Sequence, residues 1–144
     1  MFRLKKIFPT NKEFNDLFFS VGWGTRDDKK INTHRNNSCF SVCAYDDNKI
    51  VGMARVVGDG SYYTIFDVVT RKEYQNQGIG TMLMNEIISW YKTIEDDDTY
   101  LYLGASLGKE KFYEKFGFKS RPYDDIGAGM KYDKNKSEDD NGIY

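Results

Sequence analysis

Short runs of apolar residues alternate with turn-forming residues along most of the chain, and the period of each run indicates its secondary structure. Alternating or β-branched runs predict strands at residues 2–7, 38–45, 49–57, 62–70, 99–103 and 130–132. Polar turns at 46–48 and 58–60 join three of these strands. Residues 38–70 are therefore expected to form an antiparallel meander.

Helical spacing of apolar residues predicts helices at residues 10–19, 27–36, 79–91 and 109–116. Thr10 is a good N-cap for the first helix, and Gly117 ends the last one. The second helix is polar and weak, whereas the third carries a continuous apolar stripe. The resulting element order, β-α-α-β-β-β-α-β-α-β, predicts a mixed α+β fold.

Composition narrows the class of protein. With 144 residues, 40% of them hydrophobic, the chain is expected to form a single domain over 1–133, followed by a polar tail at 134–144. A formal net charge of −1 gives no general attraction to nucleic acid or to an anionic membrane. No segment approaches the run of about 20 apolar residues that a membrane span requires. Cys39 and Cys43 stand too far apart on one strand face to bridge, so we expect buried, reduced thiols in a cytoplasmic protein.

The most distinctive motif connects the strand at 62–70 to the helix at 79–91. Its residues are Gln75-Asn76-Gln77-Gly78-Ile79-Gly80. A glycine-bearing loop that opens a helix points backbone N–H groups and the positive end of the helix dipole at one spot, which favours a pyrophosphate. A dinucleotide fingerprint is excluded because Leu83 occupies its third glycine position, and a nucleoside-triphosphate loop is excluded because no lysine follows Gly80.

What remains is Q-x-x-G-x-G, which resembles the acetyl-CoA loop of the GNAT superfamily of N-acetyltransferases. A second motif, Phe112-Tyr113 followed by Gly117-Phe118, resembles the F-Y-x-x-x-G-F signature of the same family. The resemblance covers nearly the whole chain. It implies a mixed, mostly antiparallel sheet flanked by helices, with acetyl-CoA in a cleft between splayed strands. It also implies transfer of an acetyl group to a primary amine by direct attack through a tetrahedral intermediate, with acetyl-CoA as co-substrate and no metal.

The resemblance assigns cofactor contacts residue by residue. The backbone N–H groups of residues 76–81 would cradle the pyrophosphate, and the end of the strand would pair with the pantetheine arm. An N–H group, at Val69, would face the thioester oxygen. Ser106 stands where many family members have an asparagine that contacts CoA, so that contact departs from the family pattern. The cofactor-binding candidates are Val68, Val69, Thr70, Gln75, Asn76, Gln77, Gly78, Ile79, Gly80, Thr81, Ser106 and Tyr113.

Tyr113 is also the candidate proton donor. It matches the family tyrosine whose hydroxyl lies near the CoA sulfur, and a phenol with a pKa of about 10 can protonate a departing thiolate with a pKa of about 8.5. The alternative is an aromatic side chain that packs on Phe112 and Phe116. Both interpretations are open at this stage.

The general base is harder to find. The strand positions that carry it in other members correspond to Thr64 and Phe66, neither of which can accept a proton. Asp67 could serve as base or amine anchor only if a bulge turns it to the other face; otherwise it is a structural hydrogen-bonding residue. His34, in the polar helix, is expected to be exposed. Proton transfer to water, or an amine that arrives deprotonated, is equally open.

Aromatic and acidic residues near the expected mouth suggest the acceptor. Trp23, Tyr62, Tyr63 and the pair Asp124-Asp125 would suit an ammonium group through cation–π and ionic contacts. We expect a small-molecule amine as partner, with no nucleic acid and no membrane; a homodimer is an open option. The alternatives are a protein or peptide amine, and a non-catalytic acyl-CoA-binding regulatory module.

Overall fold

A computed structural model describes residues 1–135. The strands are β1 (Phe2–Lys5), β2 (Phe40–Asp46), β3 (Lys49–Gly58), β4 (Tyr62–Thr70) and β5 (Tyr100–Leu103). The helices are α1 (Asn11–Ser20), α2 (Asp28–Asn37), α3 (Ile79–Lys92) and α4 (Glu110–Glu114), and a short 3-10 turn covers Lys72–Tyr74. Most of the predicted polar tail, from residue 136 onward, lies outside the described residues.

Local capping explains why the first two helices start where they do. The Thr10 hydroxyl accepts a hydrogen bond from the Glu13 N–H at 3.1 Å, and the Glu13 carboxylate accepts one from the Thr10 N–H at 2.9 Å. This reciprocal pair satisfies two donors that the first turn of α1 would otherwise leave open. Asp27 caps α2 through the Lys30 N–H at 2.8 Å.

The sheet has five strands in the order β1-β2-β3-β4-β5. Neighbours are antiparallel except for β4 and β5, which are parallel. The meander over β2, β3 and β4 and the mixed, mostly antiparallel sheet are both confirmed. α3 supplies the crossover that a parallel pair requires.

Alternating residues of the same strands form two cores. On one face, Val56, Ile65 and their neighbours pack against Leu83 and Ile87 of α3. On the other face, Met53 and Val69 pack against Phe14 and Leu17 of α1 and Ile31 of α2. The two faces are referred to below as the α3 face and the α1/α2 face. No helix in the described part of the chain is long and apolar enough to cross a membrane.

Two predictions about individual segments are wrong. Residues 130–132 form no strand, because Met130 and Tyr132 are 95% and 86% exposed and bury nothing that could offset the ordering of the chain. Cys43 is buried as expected, but Cys39 precedes β2 and is exposed. Both thiols are free.

Candidate active site

The parallel pairing of β4 and β5 ends before β4 does. The last paired residues are Ile65 and Leu103, and β4 continues to Thr70. Within residues 1–135, no strand pairs with the β5 side of residues 66–70. The backbone groups on this side, the open edge of β4, are therefore available to an extended ligand that carries amides.

A β-bulge lies in the same stretch. Arg55 pairs with Phe66 and Met53 pairs with Val69, so Ala54 alone stands opposite two residues of β4. The bulged Asp67 has a left-handed backbone, with φ of 55°, which aspartate tolerates better than most residues. Because of the extra residue, Ile65 faces α3 whereas Val69 faces α1 and α2.

The bulge gives Asp67 a partner on the α1/α2 face. Its Oδ2 accepts a hydrogen bond from Arg55 Nε at 2.5 Å, and the side chains of Arg55 and Asp67 are 10% and 21% exposed. The bulge that the sequence prediction required for Asp67 is thus present. One of its oxygens is already held by a guanidinium, however, so Asp67 is better suited to anchoring a cation than to removing a proton.

The ladder between β3 and β4 shows which N–H groups reach the open edge. The Arg71 N–H donates to the Val51 carbonyl at 2.7 Å, so Arg71 points toward β3. Alternation along the strand then directs Val69 toward β3 as well, and Val68 and Thr70 toward the open edge. The Val68 N–H therefore lies on the open edge, whereas the Val69 N–H, the one expected to face a thioester, points toward β3. The Val69 side chain is buried in the core.

The loop that follows β4 presents a row of unpaired donors. The first intrahelical bond of α3 runs from the Met82 N–H to the Gly78 carbonyl, and no side chain caps the helix. In the described part of the chain, the N–H groups of residues 76–81 have no hydrogen-bond acceptor. Such a row at a helix N-terminus suits a pyrophosphate.

The two glycines of the loop have different roles. Gly78 has a φ of 87° and open space where a Cβ would lie, so the backbone conformation requires glycine there. A Cβ on Gly80 would lie 3.1 Å from Cζ of Phe112. Gly80 therefore allows α4 to pack closely against the first turn of α3.

The other loop candidates lie around this row of donors. The Gln75 side chain donates to the Thr70 carbonyl at 3.1 Å and the Gln77 side chain to the Glu73 carbonyl at 3.4 Å, so both brace the loop. Asn76 adopts a left-handed φ of 65°. Ile79 is buried and Thr81 is exposed. Ser106 is exposed in the loop before α4, where its carbonyl accepts the Lys109 N–H.

Tyr113 lies beside this region. Its ring packs edge-on against Phe112 at 5.0 Å and Phe118 at 6.5 Å, rather than against the expected Phe116. It shares the lining of a cavity of about 1140 Å³ with Thr64 and Leu103, where β4 and β5 stop pairing. Burial raises the pKa of Tyr113, so the phenol stays protonated at neutral pH and can donate a proton.

The prediction of which residues line the mouth of the site is partly wrong. Tyr63 is buried on the α3 face, edge-on to Trp90 and Tyr91, because it alternates with the exposed Tyr62. Trp23 is exposed and packs on Phe18. The Asp124-Asp125 pair is exposed in the segment after α4.

Two residues that sequence patterns did not single out extend the aromatic surface. Tyr62 stacks on Tyr100 at 5.5 Å and on Tyr102 at 6.5 Å, and all three rings are exposed. They form a tyrosine row across β4 and β5 on the face opposite α3. The alternation of Tyr100 and Tyr102 in β5 was the available signal. Arg55 carried no comparable signal, because an arginine inside an apolar strand gives no indication of its partner.

Comparisons with known proteins agree with this geometry. The acetyltransferase (GNAT) family model matches residues 8–118. An uncharacterized N-acetyltransferase, ycf52, of Gracilaria tenuistipitata var. liui is 38% identical over 115 residues, which cover 76% of this chain and 62% of that protein. The chain thus spans about six tenths of the length of that relative.

Solved structures show the same fold. A probable acetyltransferase of unknown function from meticillin-resistant Staphylococcus aureus superposes with a TM-score of 0.81 at 29% identity, covering 92% of this chain and 99% of that one. A GNAT family acetyltransferase from Brucella melitensis, solved in complex with acetyl-CoA, gives a TM-score of 0.63 at 19% identity, covering 83% and 84%. The chain belongs to the GNAT acetyltransferase family, and its α+β architecture is the GNAT fold.

Proposed function

We propose that this chain transfers an acetyl group from acetyl-CoA to a primary amine, and that the acceptor is a small molecule. The observation that carries the proposal is the continuity between the open edge of β4 and the unpaired N–H groups of residues 76–81. A pantetheine arm carries amides and a pyrophosphate follows it. The edge and the loop offer hydrogen-bond donors in that same order.

Two groups of the chain would act on a bound thioester, and the site as a whole would position the amine. The Val68 N–H would donate a hydrogen bond to the carbonyl oxygen as negative charge develops on it. The Tyr113 hydroxyl would give its proton to the departing sulfur. The site would hold the amine against the carbonyl carbon, which removes much of the entropic cost of a bimolecular reaction.

The tyrosine row and Asp67 support an amine as acceptor. Exposed tyrosine faces attract an ammonium group through their quadrupoles, and the second Asp67 oxygen can accept a hydrogen bond from it. The row is short and formed by only two strands, Tyr62 in β4 and Tyr100 and Tyr102 in β5. A patch of this size favours a small molecule over an extended peptide.

The second candidate is a non-catalytic acyl-CoA-binding module. It is favoured by Thr64 and Phe66, because neither of these two β4 positions carries the side-chain base found there in other family members. This candidate would bind acetyl-CoA and transfer nothing.

Product analysis across a panel of amines separates the two candidates. Free CoA and acetylated amine should be measured by chromatography, because the exposed Cys39 would react with a thiol reagent and give a false signal. Equimolar formation of both products from at least one small amine supports the proposal. Tight acetyl-CoA binding with no acetylated product from any small amine, lysine or peptide would show that the second candidate is correct.

A further inference from the structure

His34 is the only histidine of the chain, and its position differs from what the polar character of α2 suggests. It lies three residues after the fully buried Ile31, on the same side of α2. Its ring stacks on Phe14 of α1, with centroids 6.0 Å apart and planes at 28°. His34 is half-buried rather than exposed, so the expectation of an exposed side chain is wrong.

A chain of hydrogen bonds connects the His34 backbone to the bulge of β4. The His34 carbonyl accepts a bond from the Ser38 hydroxyl at 2.7 Å. That hydroxyl accepts a longer bond from Arg55 Nη1 at 3.4 Å, and Arg55 Nε donates to Asp67. The end of α2 is thereby tied to the stretch of β4 where the open edge begins.

The charged groups around His34 come from β3, β4, α2 and the loop before α2. Arg55 of β3 disfavours the imidazolium and Asp67 of β4 favours it, while Lys30 of α2 and Arg26 in the loop before it add further positive charge. α1 contributes the apolar ring of Phe14. Burial is the largest influence and lowers the pKa of His34 below its ordinary value of 6.5, so the ring is neutral at pH 7. In residues 1–135 its ring nitrogens have no hydrogen-bond partner, which leaves a basic lone pair available.

We propose that His34 accepts the proton of the incoming ammonium group, directly or through one water molecule, while the Arg55–Asp67 pair holds that ammonium in place. The inference rests on the proposed function and supplies the base that Thr64 and Phe66 cannot provide. A general base must be within hydrogen-bond reach of the proton, or one water away from it, and must be unprotonated at working pH.

The proton balance closes with two residues. His34 takes one proton from the ammonium, and the neutral amine then forms a bond to the acetyl carbon as the carbon–sulfur bond breaks. Tyr113 gives its proton to the leaving sulfur and recovers one from the nitrogen, which becomes an amide. His34 releases its proton to solvent, so each turnover yields acetylated amine, free thiol and one proton.

Because the chain has one histidine, the first experiment needs no assignment of signals. A proton NMR titration of wild-type protein gives the pKa of His34 directly, and kcat/KM should rise with pH through the same value. The midpoint of this rise in kcat/KM should stay at the same pH when the acceptor is changed from an alkylamine to a less basic amine. The substitution Asp67→Asn should lower the pKa of His34 and the midpoint of the kcat/KM profile together, because the carboxylate favours the imidazolium.

Variants test whether His34 acts on the proton or only packs. His34→Gln should reduce turnover of an alkylamine at pH 7 by roughly 10²–10⁴-fold, yet should change little for an aryl hydrazine that is already neutral at that pH. Added imidazole should restore part of the alkylamine activity of His34→Ala. Lys29→Gln, an exposed change on the same helix, is the matched control and should behave as wild type.

The outcomes separate this inference from the proposed function. If wild type acetylates no amine, both fail. Two results would overturn the inference while acetyl transfer stands. One is a rise in kcat/KM whose midpoint follows the pKa of the acceptor. The other is an equal loss of turnover for both acceptors in His34→Gln, with no rescue by imidazole. A titration that leaves His34 protonated above pH 7 also overturns it. Calorimetry of acetyl-CoA binding to each variant confirms that the protein is folded.

Discussion

Tyr113 is the residue whose chemistry can be tested with the least structural change. Tyr113→Phe removes one oxygen and keeps the ring contacts to Phe112 and Phe118. We expect turnover to fall by roughly 10²-fold, the lower end for a positioned general acid, because a thiolate leaves comparatively easily. Acetyl-CoA affinity and melting temperature should stay close to wild type.

The pH dependence gives this prediction a second readout. Because burial raises the pKa of Tyr113, the proton-donating phenol persists beyond its ordinary pKa of about 10. The wild-type rate should therefore decline only above that pH, and the decline should be absent in Tyr113→Phe. Equal rates for the two proteins, with chemistry shown to be rate-limiting, would leave Tyr113 a packing residue.

Gly80 is a packing position as well as a loop residue. Gly80→Val places branches against Phe112, whose Cζ would already lie 3.1 Å from a simple Cβ. We expect a loss of about 1–3 kcal/mol in the free energy of unfolding, typical of overpacking, together with weaker acetyl-CoA binding as α4 shifts.

Adding Phe112→Leu should recover part of that loss. A double-mutant cycle in urea measures it, and the two changes should couple favourably by about 0.5–3 kcal/mol. Strict additivity would show that residue 80 does not act through Phe112. In that case the effect of Gly80→Val on acetyl-CoA would reflect the loop alone.

Among the secondary-structure elements, β4 contains the bulge that places Asp67 beside Arg55. The Arg55–Asp67 pair on it is largely buried. Asp67→Asn keeps a residue that tolerates the left-handed backbone but removes the charge opposite Arg55. We expect a loss of about 1–3 kcal/mol in unfolding free energy from the weakened pair.

Asp16→Asn is the matched control for this change. Asp16 pairs with Lys12 at 2.8 Å on the exposed side of α1, an i,i+4 pair in which both side chains are well exposed. Such a pair contributes only about 0.3–0.5 kcal/mol. Urea unfolding of both variants should rank Asp67→Asn as clearly the more damaging, and equal losses would mean that the pair at the bulge adds no stability beyond a surface contact.

Sequence patterns predicted the elements whose signal is local. Capping by Thr10, the apolar stripe of α3 and the glycine loop are all set by neighbours within a few residues. The bulge is different, because it depends on how β3 and β4 pair, and Asp67 alone shows only that a left-handed residue is tolerated. The prediction of a strand at 130–132 is wrong for a related reason. Its local pattern is adequate, but within the described residues no partner strand buries it.

The residues of the candidate site divide in the same way, into those predicted by local motifs and those that depend on long-range packing. The loop residues and Tyr113 follow from motifs, whereas the stacking of His34 on Phe14 depends on how α2 packs against α1. The prediction that Tyr63 lies at the mouth is wrong because alternation along β4 buries its ring, edge-on to Trp90 and Tyr91. Long-range packing therefore determines the residues proposed for the acceptor, whereas local sequence determines those proposed for the cofactor.

At the scale of the whole molecule, acetyl-CoA should stabilise the fold because its proposed contacts come from distant elements. The open edge belongs to β4, the donors of residues 76–81 to the start of α3, and Tyr113 to α4. A ligand that binds only the folded state at 100 times its Kd adds about 2.7 kcal/mol to the free energy of unfolding. For a chain of this size, each kcal/mol raises Tm by roughly 2–4 °C.

Thermal unfolding with matched ligands shows which part of the molecule supplies that energy. Acetyl-pantetheine, which lacks the pyrophosphate, should raise Tm far less than acetyl-CoA at equal concentration, because it reaches only the open edge of β4. ADP, which carries the adenosine diphosphate part of CoA without the pantetheine arm, should give a small rise that depends on the loop. Gly78→Val should abolish the ADP effect, because its φ of 87° strains any β-branched residue and the donors of residues 76–81 would no longer converge. If acetyl-pantetheine stabilised the protein as strongly as acetyl-CoA, the unpaired donors would have no part in holding the ligand.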